Sequence, residues 1–236
     1  MATAAWLNAY FRTSLRSIMP RVSIDLAQMR ERMVADQLRL RGIADPRVLE
    51  AMRAVPRERF VPSELREHAY DDSPLPIGSG QTISQPYMVA LTCEAAQLLG
   101  PERVLEVGTG SGYEAAVLSK LASQVVSIEC NPHLYDRARL ILQSVGAPNV
   151  GLRLGDGSLG CIEEAPFDVI IVSAAMPGIP TTLLAQLKPD GRLIAPIGEE
   201  ELQTLVRIGR RGGHWQEEYF GECRFVKMTG KHGFVE

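Results

Sequence analysis

Cysteine is scarce and scattered. The four cysteines, Cys93, Cys130, Cys161 and Cys223, form no C-x-x-C pair, and no Cys/His cluster stands at metal-ligand spacing. That pattern excludes a zinc site or a disulfide framework and reads as reduced thiols in a cytoplasmic protein. No apolar run approaches the roughly 20 residues that a membrane-spanning helix needs. Positive charge is not in excess either: 25 basic against 28 acidic residues leave a net charge of −3. A mildly acidic body offers no footprint for a nucleic-acid backbone. Also missing are the G-x-x-x-x-G-K-[ST] run of a P-loop and the G-x-S-x-G elbow of an α/β-hydrolase. The four histidines, His68, His133, His214 and His232, form no local pair and read as solvated side chains.

What is present suits one α/β domain with additions, at a length of 236 residues and with 45% hydrophobic residues to build a core. Residues 1–24 carry Arg12, Arg16 and Arg21 and no acid. They lack the long apolar region and cleavage site of a secretion signal, and are expected to be an extension outside the fold. Residues 25–236 then form a single domain, with a helical addition and loop over 25–100 and a cofactor-binding sheet over 101–236.

In the second part, short apolar runs alternate with helical patterns. RVLEV (103–107), VVSIE (125–129), NVGLRL, FDVIIV (167–172) and GRLIAPIG (191–198) read as strands, separated by the helical EAAVLSKLA, NPHLYDRARLILQSVG and IPTTLLAQL. This predicts a doubly wound, mostly parallel, seven-stranded-type Rossmann-like sheet with helices on both faces. After Gly198 the alternation stops. LQTLVRIGR and HWQEEYFGECRFVKM predict an antiparallel C-terminal strand pair around the turn Arg210–Gly213. In the first part, Leu26, Met29, Met33, Val34 and Leu38 recur at helical spacing up to Gly42, and Asp45-Pro46 opens a second helix through Ala54. MVALTCEAAQLL predicts a third helix, closed by Gly100. The run YDDSPLPIGSGQTISQP before it is expected to be an irregular, flexible loop.

The strand-to-helix turn EVGTGSGY carries the main chemical signal. Gly108, Gly110 and Gly112 let a ligand approach the backbone, with Thr109 and Ser111 between them. Glu129 closes the next strand, 21 residues after Gly108, where an acid accepts hydrogen bonds from a ribose hydroxyl. Asp156, in GDG beside Gly157, follows the third strand on the same sheet edge. The spacing G-x-G-x-G departs from the G-x-G-x-x-G of dinucleotide binding, and Glu106 suits the neighbourhood of a cation better than a pyrophosphate. Acids at three successive strand ends suit a ligand with an amine, a ribose and an adenine, as in S-adenosyl-L-methionine.

At these residues the chain resembles the protein-L-isoaspartate O-methyltransferases, class I S-adenosylmethionine-dependent enzymes, from about Met29 to the C-terminus. The resemblance is carried by VPRERFVP, AYDDSPLPIGSGQTISQPYMVA, VLEVGTGSGY, GDG, APFDVIIVSAA, LKPDGRLIAPIGE and RFV. LPIGSGQTISQP is the most specific of these, since many methyltransferases share the glycine turn. The resemblance implies methylation of the free α-carboxylate of L-isoaspartyl residues in damaged proteins and peptides, which starts repair through a succinimide. It implies S-adenosyl-L-methionine as cofactor and S-adenosyl-L-homocysteine as product. A cytoplasmic monomer without nucleic-acid or membrane partners is the expectation.

By the same resemblance Ser84 is the catalytic residue, and Gln81, Thr82, Ile83 and Ser84 line the cofactor and substrate site. Val89 matches a position near the cofactor, Glu129 and Cys130 the ribose side, Asp156 and Gly157 the adenine side, and Thr229 a C-terminal contact. The structural alternative for Ser84 is an N-cap on the following helix.

Three rivals remain. A methyltransferase acting on a nucleic-acid base amine often carries an Asn/Asp-Pro-Pro-aromatic run after the fourth strand, where this chain reads SAAMPGIP. A nicotinamide-dependent oxidoreductase is disfavoured by the glycine spacing and Glu106. A catalytically silent binding protein is disfavoured by the QTIS loop.

Overall fold

Strands β3 (Arg103–Val107), β4 (Gln124–Glu129), β5 (Val150–Leu154), β6 (Phe167–Val172), β7 (Leu187–Gly198), β8 (Gln203–Arg211) and β9 (His214–Cys223) make one sheet in the order β5-β4-β3-β6-β7-β8-β9. β1 and β2 form a separate hairpin, described below. This is a computed structural model and it describes residues 25–234; the expected extension 1–24 lies outside them. Neighbours are parallel from β5 through β7 and antiparallel at β7–β8 and β8–β9, as the change of rhythm after Gly198 predicts.

The central strands are buried on both faces because their side chains alternate between two cores. Val104, Val125, Val169, Ile171 and Ile194 pack on one side with the N-terminal helices. Leu105, Val107, Val126, Ile128, Ile170, Val172 and Leu193 pack on the other. The same alternation puts Glu106, between Leu105 and Val107, on the face of the N-terminal helices.

That face is covered by α1 (Leu26–Arg32), α2 (Pro46–Ala54), α3 (Pro86–Ala96) and α4 (Tyr113–Leu118). The pattern read from Leu26 to Gly42 is one continuous helical path whose second half widens to a π-helix and tightens to a 3-10 turn. It stops at Gly42 in the left-handed conformation. Asp45 caps α2 as expected, its side chain accepting from the Arg47 N–H. α5 (Pro132–Ser144) is capped by Asn131, and α6 covers only Thr181–Leu184.

Four expectations need correction. The run 70–86 is not irregular: β1 (Leu75–Gly78) and β2 (Gln81–Ile83) pair antiparallel, turning through Ser79 and Gly80, both at positive φ. Leu75, Ile77 and Ile83 point into the core, a period of two hidden by polar neighbours. α3 ends at Ala96, ahead of Gly100, because Gln97 turns left-handed and Glu102 accepts from the N–H groups of Leu99 and Gly100. The helix expected over IPTTLLAQL is cut short because β7 already begins at Leu187. Finally, RFVKM does not extend β9; it leaves the sheet and joins Ala175 through the Val226 carbonyl and the Met228 N–H.

Candidate functional site

A cavity of about 310 Å³ opens at the carboxyl ends of β3, β4 and β6, where the strand order reverses and open α/β sheets bind ligands. Its floor is the glycine turn. Gly108 and Thr109 donate to the Ile128 carbonyl, and Gly112 donates back to Thr109, closing the turn at 2.8 Å. Gly108, Gly110 and Gly112 all have positive φ. Gly108, Thr109, Gly110 and Ser111 line the cavity. Gly112 does not: a Cβ there would press on Ala138 and Leu142, so it lets α5 pack against the start of α4.

At one end the acids are already engaged by backbone. Glu129 accepts from Gly110 N–H at 2.7 Å and from Asn131 N–H at 2.9 Å. It is buried but lines the cavity beside Cys130, whose Sγ lies 3.3 Å from Thr229 Oγ1. Gly157 lines it too, and has no room for a side chain, since a Cβ would fall 2.6 Å from Val107 Cγ1. Asp156 stands behind this wall. Its carboxylate accepts from Ser158 N–H at 2.9 Å, Ser158 Oγ at 2.7 Å and Lys231 N–H at 2.9 Å. Burial disfavours its charge, yet the Lys231 and Ser158 donors outweigh that and hold its pKa below the ordinary value. Asp156 thereby ties residues 226–232 across the cavity, where Val226, Lys227, Met228 and Thr229 form a wall.

The other end is built from the β1–β2 hairpin. Gln81, Thr82, Ile83, Ser84 and Val89 all line the cavity. A small groove adjoins it, sharing Thr82, Ser84, Ser173 and Val226 and adding Arg224 and Phe225. Ser84 is not a helix cap: the residue before α3 is Gln85, which makes no side-chain cap bond, with Pro86 opening the helix. No hydrogen bond is formed by the hydroxyls of Thr82 and Ser84 among the described residues. Backbone, in contrast, is pinned. Arg57, wholly buried, donates to the carbonyls of Ala69 and Ser84, each at 2.7 Å, and its guanidinium lies 4.8 Å from the Tyr113 ring centroid. Burial draws its pKa down to about 10. Arg137 of α5 holds Ile77 O at 2.9 Å.

Glu106 does not reach the cavity. It is fully buried, accepts from Ser127 Oγ, and Ser127 in turn lies 2.5 Å from Thr109 Oγ1. Burial, then the nearby Glu114, raises its pKa well above the carboxylate range. Glu114, by contrast, lines the cavity as Glu129 does, and is joined to Ser173 Oγ at 2.5 Å. Glu114 does not stand out in sequence, because a glutamate in a first helical turn is an ordinary dipole partner. Among the described residues no group of three or more His, Cys, Asp or Glu side chains could hold a metal, and no helix is long and apolar enough to cross a membrane.

Residues 29–233 match the family model of protein-L-isoaspartate(D-aspartate) O-methyltransferase. The chain is 50% identical over 210 residues to the protein-L-isoaspartate O-methyltransferase of Syntrophus aciditrophicus (strain SB), covering 88% of this chain and 96% of that one. It is 51% identical over 211 residues to protein-L-isoaspartate O-methyltransferase 1 of Syntrophobacter fumaroxidans (strain DSM 10017 / MPOB), covering 89% and 99%. Among solved structures, a Plasmodium falciparum protein-L-isoaspartate O-methyltransferase in complex with S-adenosyl-L-homocysteine superposes with a TM-score of 0.74 at 26% identity. It covers 85% of this chain and 98% of that one.

Proposed function

From a chain that belongs to the protein-L-isoaspartate(D-aspartate) O-methyltransferase family, we propose that the cavity holds the cofactor and the adjoining groove the acceptor. The activity is transfer of a methyl group from S-adenosyl-L-methionine to the free α-carboxylate of L-isoaspartyl residues in damaged proteins and peptides. The observation that carries the assignment of sites is the contrast between the two ends: backbone-engaged acids beside the glycine turn, and unengaged hydroxyls on the hairpin.

The residues present fit the cofactor. Glu129 has oxygens at a strand end to accept from a ribose diol, and Gly108 and Gly110 leave the turn without side chains. Cys130 stands with Glu129 on the ribose side and Thr229 beside it, Gly157 keeps the adenine side flat with Asp156 behind it, and Val89 closes the apolar side. When bound, S-adenosyl-L-methionine supplies a methyl group already activated by the positive charge on sulfur.

The chain's remaining task is positioning. An isoaspartyl carboxylate, with an ordinary pKa near 4, is ionised at neutral pH and needs no general base. Ser84 and Thr82 donate hydrogen bonds that orient it without the tight ion pair a lysine would make. Gln81 and Ile83 shape the passage, and the hairpin and the 226–229 wall exclude water. Arg57 acts one step back, holding the Ser84 carbonyl so that its hydroxyl keeps its aim. Action in the cytoplasm accords with four cysteines that are all unpaired.

The test is methyl transfer from labelled S-adenosyl-L-methionine to two peptides differing only in isoaspartate or aspartate at one position. Base-labile ester on the isoaspartyl peptide alone is the expected result. Equal labelling of both removes the assigned selectivity.

A further inference from the structure

One buried acid on the cavity wall has no counter-ion. Glu114, the second residue of α4, is 9% exposed and lines the cavity. Its Oε2 is joined to Ser173 Oγ, and its Oε1 has no hydrogen-bond partner. Ser173 belongs to both the cavity and the acceptor groove, so the pair stands at the junction through which a methyl group must pass. A buried carboxylate with an unsatisfied oxygen is costly, and it either takes a proton or finds a cation.

The surroundings offer it no cation. Glu106 on β3 lies behind it and also has an unpartnered Oε1. Cys93 on α3 feels its charge, and burial raises that thiol well above its ordinary value. Glu129 at the end of β4 adds a third acid, held by backbone N–H groups. On the side of α2, Tyr113 presents its ring to Arg57, whose guanidinium is committed to two carbonyls. Lys227, which also lines the cavity, is paired with Glu200. Burial accordingly pushes the Glu114 carboxyl up to about 7, against the lowering effect of the Ser173 bond.

We propose that Glu114 is the side chain that senses the charge on the cofactor's sulfur: ionised opposite the sulfonium of S-adenosyl-L-methionine, protonated opposite the neutral thioether of S-adenosyl-L-homocysteine. This deepens the reading above and rests on the cavity being the cofactor's. The role that the strand-end motif suggests for Glu106, neighbour to a cation, passes to Glu114, which lines the cavity where Glu106 does not. The proton comes from and returns to solvent, so no further reactant is needed. Once the sulfur has lost its charge, Glu114 no longer favours the bound ligand, and product leaves more readily than cofactor.

The sign of the pH dependence follows. The bound cation lowers the carboxyl's pKa relative to the free protein, so the extra affinity is complete above about 7 and is lost as pH falls below it, by at most about tenfold per unit. Titration calorimetry on the full chain, with each ligand at about pH 5.5 and about pH 7 and in two buffers of different ionisation enthalpy, measures this. Expected are roughly tenfold weaker S-adenosyl-L-methionine binding at the lower pH, with proton release, and no more than about twofold change for S-adenosyl-L-homocysteine. Glu114→Gln keeps the shape and an acceptor for Ser173. It should abolish the slope and cut the preference for the charged ligand by about tenfold, while S-adenosyl-L-homocysteine affinity stays within about twofold.

Equal pH slopes for the two ligands in the unmodified protein overturn the proposal, and that comparison does not depend on the variant folding. A slope that survives in Glu114→Gln overturns it as well. Glu129→Ala separates the two levels: if it weakens neither ligand, the cavity is not the cofactor's and both readings fall together.

Discussion

The two ends of the cavity are built on opposite principles. At the nucleoside end, Glu129 and Asp156 are acids whose carboxylates are already oriented by the protein's own N–H and O–H groups. At the acceptor end, Thr82 and Ser84 carry hydroxyls that no protein group fills among the described residues, on a backbone that Arg57 and Arg137 hold still. Affinity for a ligand used in every turnover calls for preorganised walls, and satisfied carboxylates provide them. Selection among many protein segments calls for donors held in reserve, because an unfilled hydroxyl contributes only when the right oxygen arrives.

Three substitutions would break or sharpen this contrast. Arg57→Met should have the largest effect, because it leaves the Ala69 and Ser84 carbonyls buried without donors. A loss of about 3 kcal/mol in denaturant unfolding is expected, with turnover falling alongside. Unchanged stability would mean that the acceptor end is not pinned by the scaffold. Ser84→Ala should lower kcat about a hundredfold, the usual scale for one oriented donor at a reacting oxygen. Cofactor Kd should stay within about twofold, and a shift in Kd as large as that in kcat would merge the two ends. Asp156→Ala should act the other way, weakening cofactor binding about tenfold through the released 226–232 wall. Turnover at saturating cofactor should change little; equal affinity in both forms would remove Asp156 from any part in holding that wall.

Much of this organisation can be read before folding. β6 spans Phe167–Val172, the bounds of the run FDVIIV, because a strand buried on both faces is apolar at nearly every position, here at all but Asp168. The glycine turn is legible for a similar reason: positive φ at three positions leaves few residue choices. The hairpin is not legible, since its inward residues, Leu75, Ile77 and Ile83, are interleaved with Pro, Gly and Ser that look like loop. Nor are the separate fates of Glu106 and Glu114. Both are acids near a glycine turn, and only strand alternation against helix placement sends one beneath the floor and the other to the wall. The boundaries around Gln97 and Leu187 depend on long-range partners, Glu102 for one and the β6–β7 register for the other, that local pattern does not encode.

The last strand of the sheet ends at Cys223, while the binding wall lies over 226–232. Fold and site therefore finish at different places along the chain, and a single cut between them separates the two. A preparation nicked after Cys223 keeps every strand of the sheet and loses the tether to Asp156 and Ser158. Spectroscopic strand content would then count molecules, whereas only titration with ligand would count competent sites.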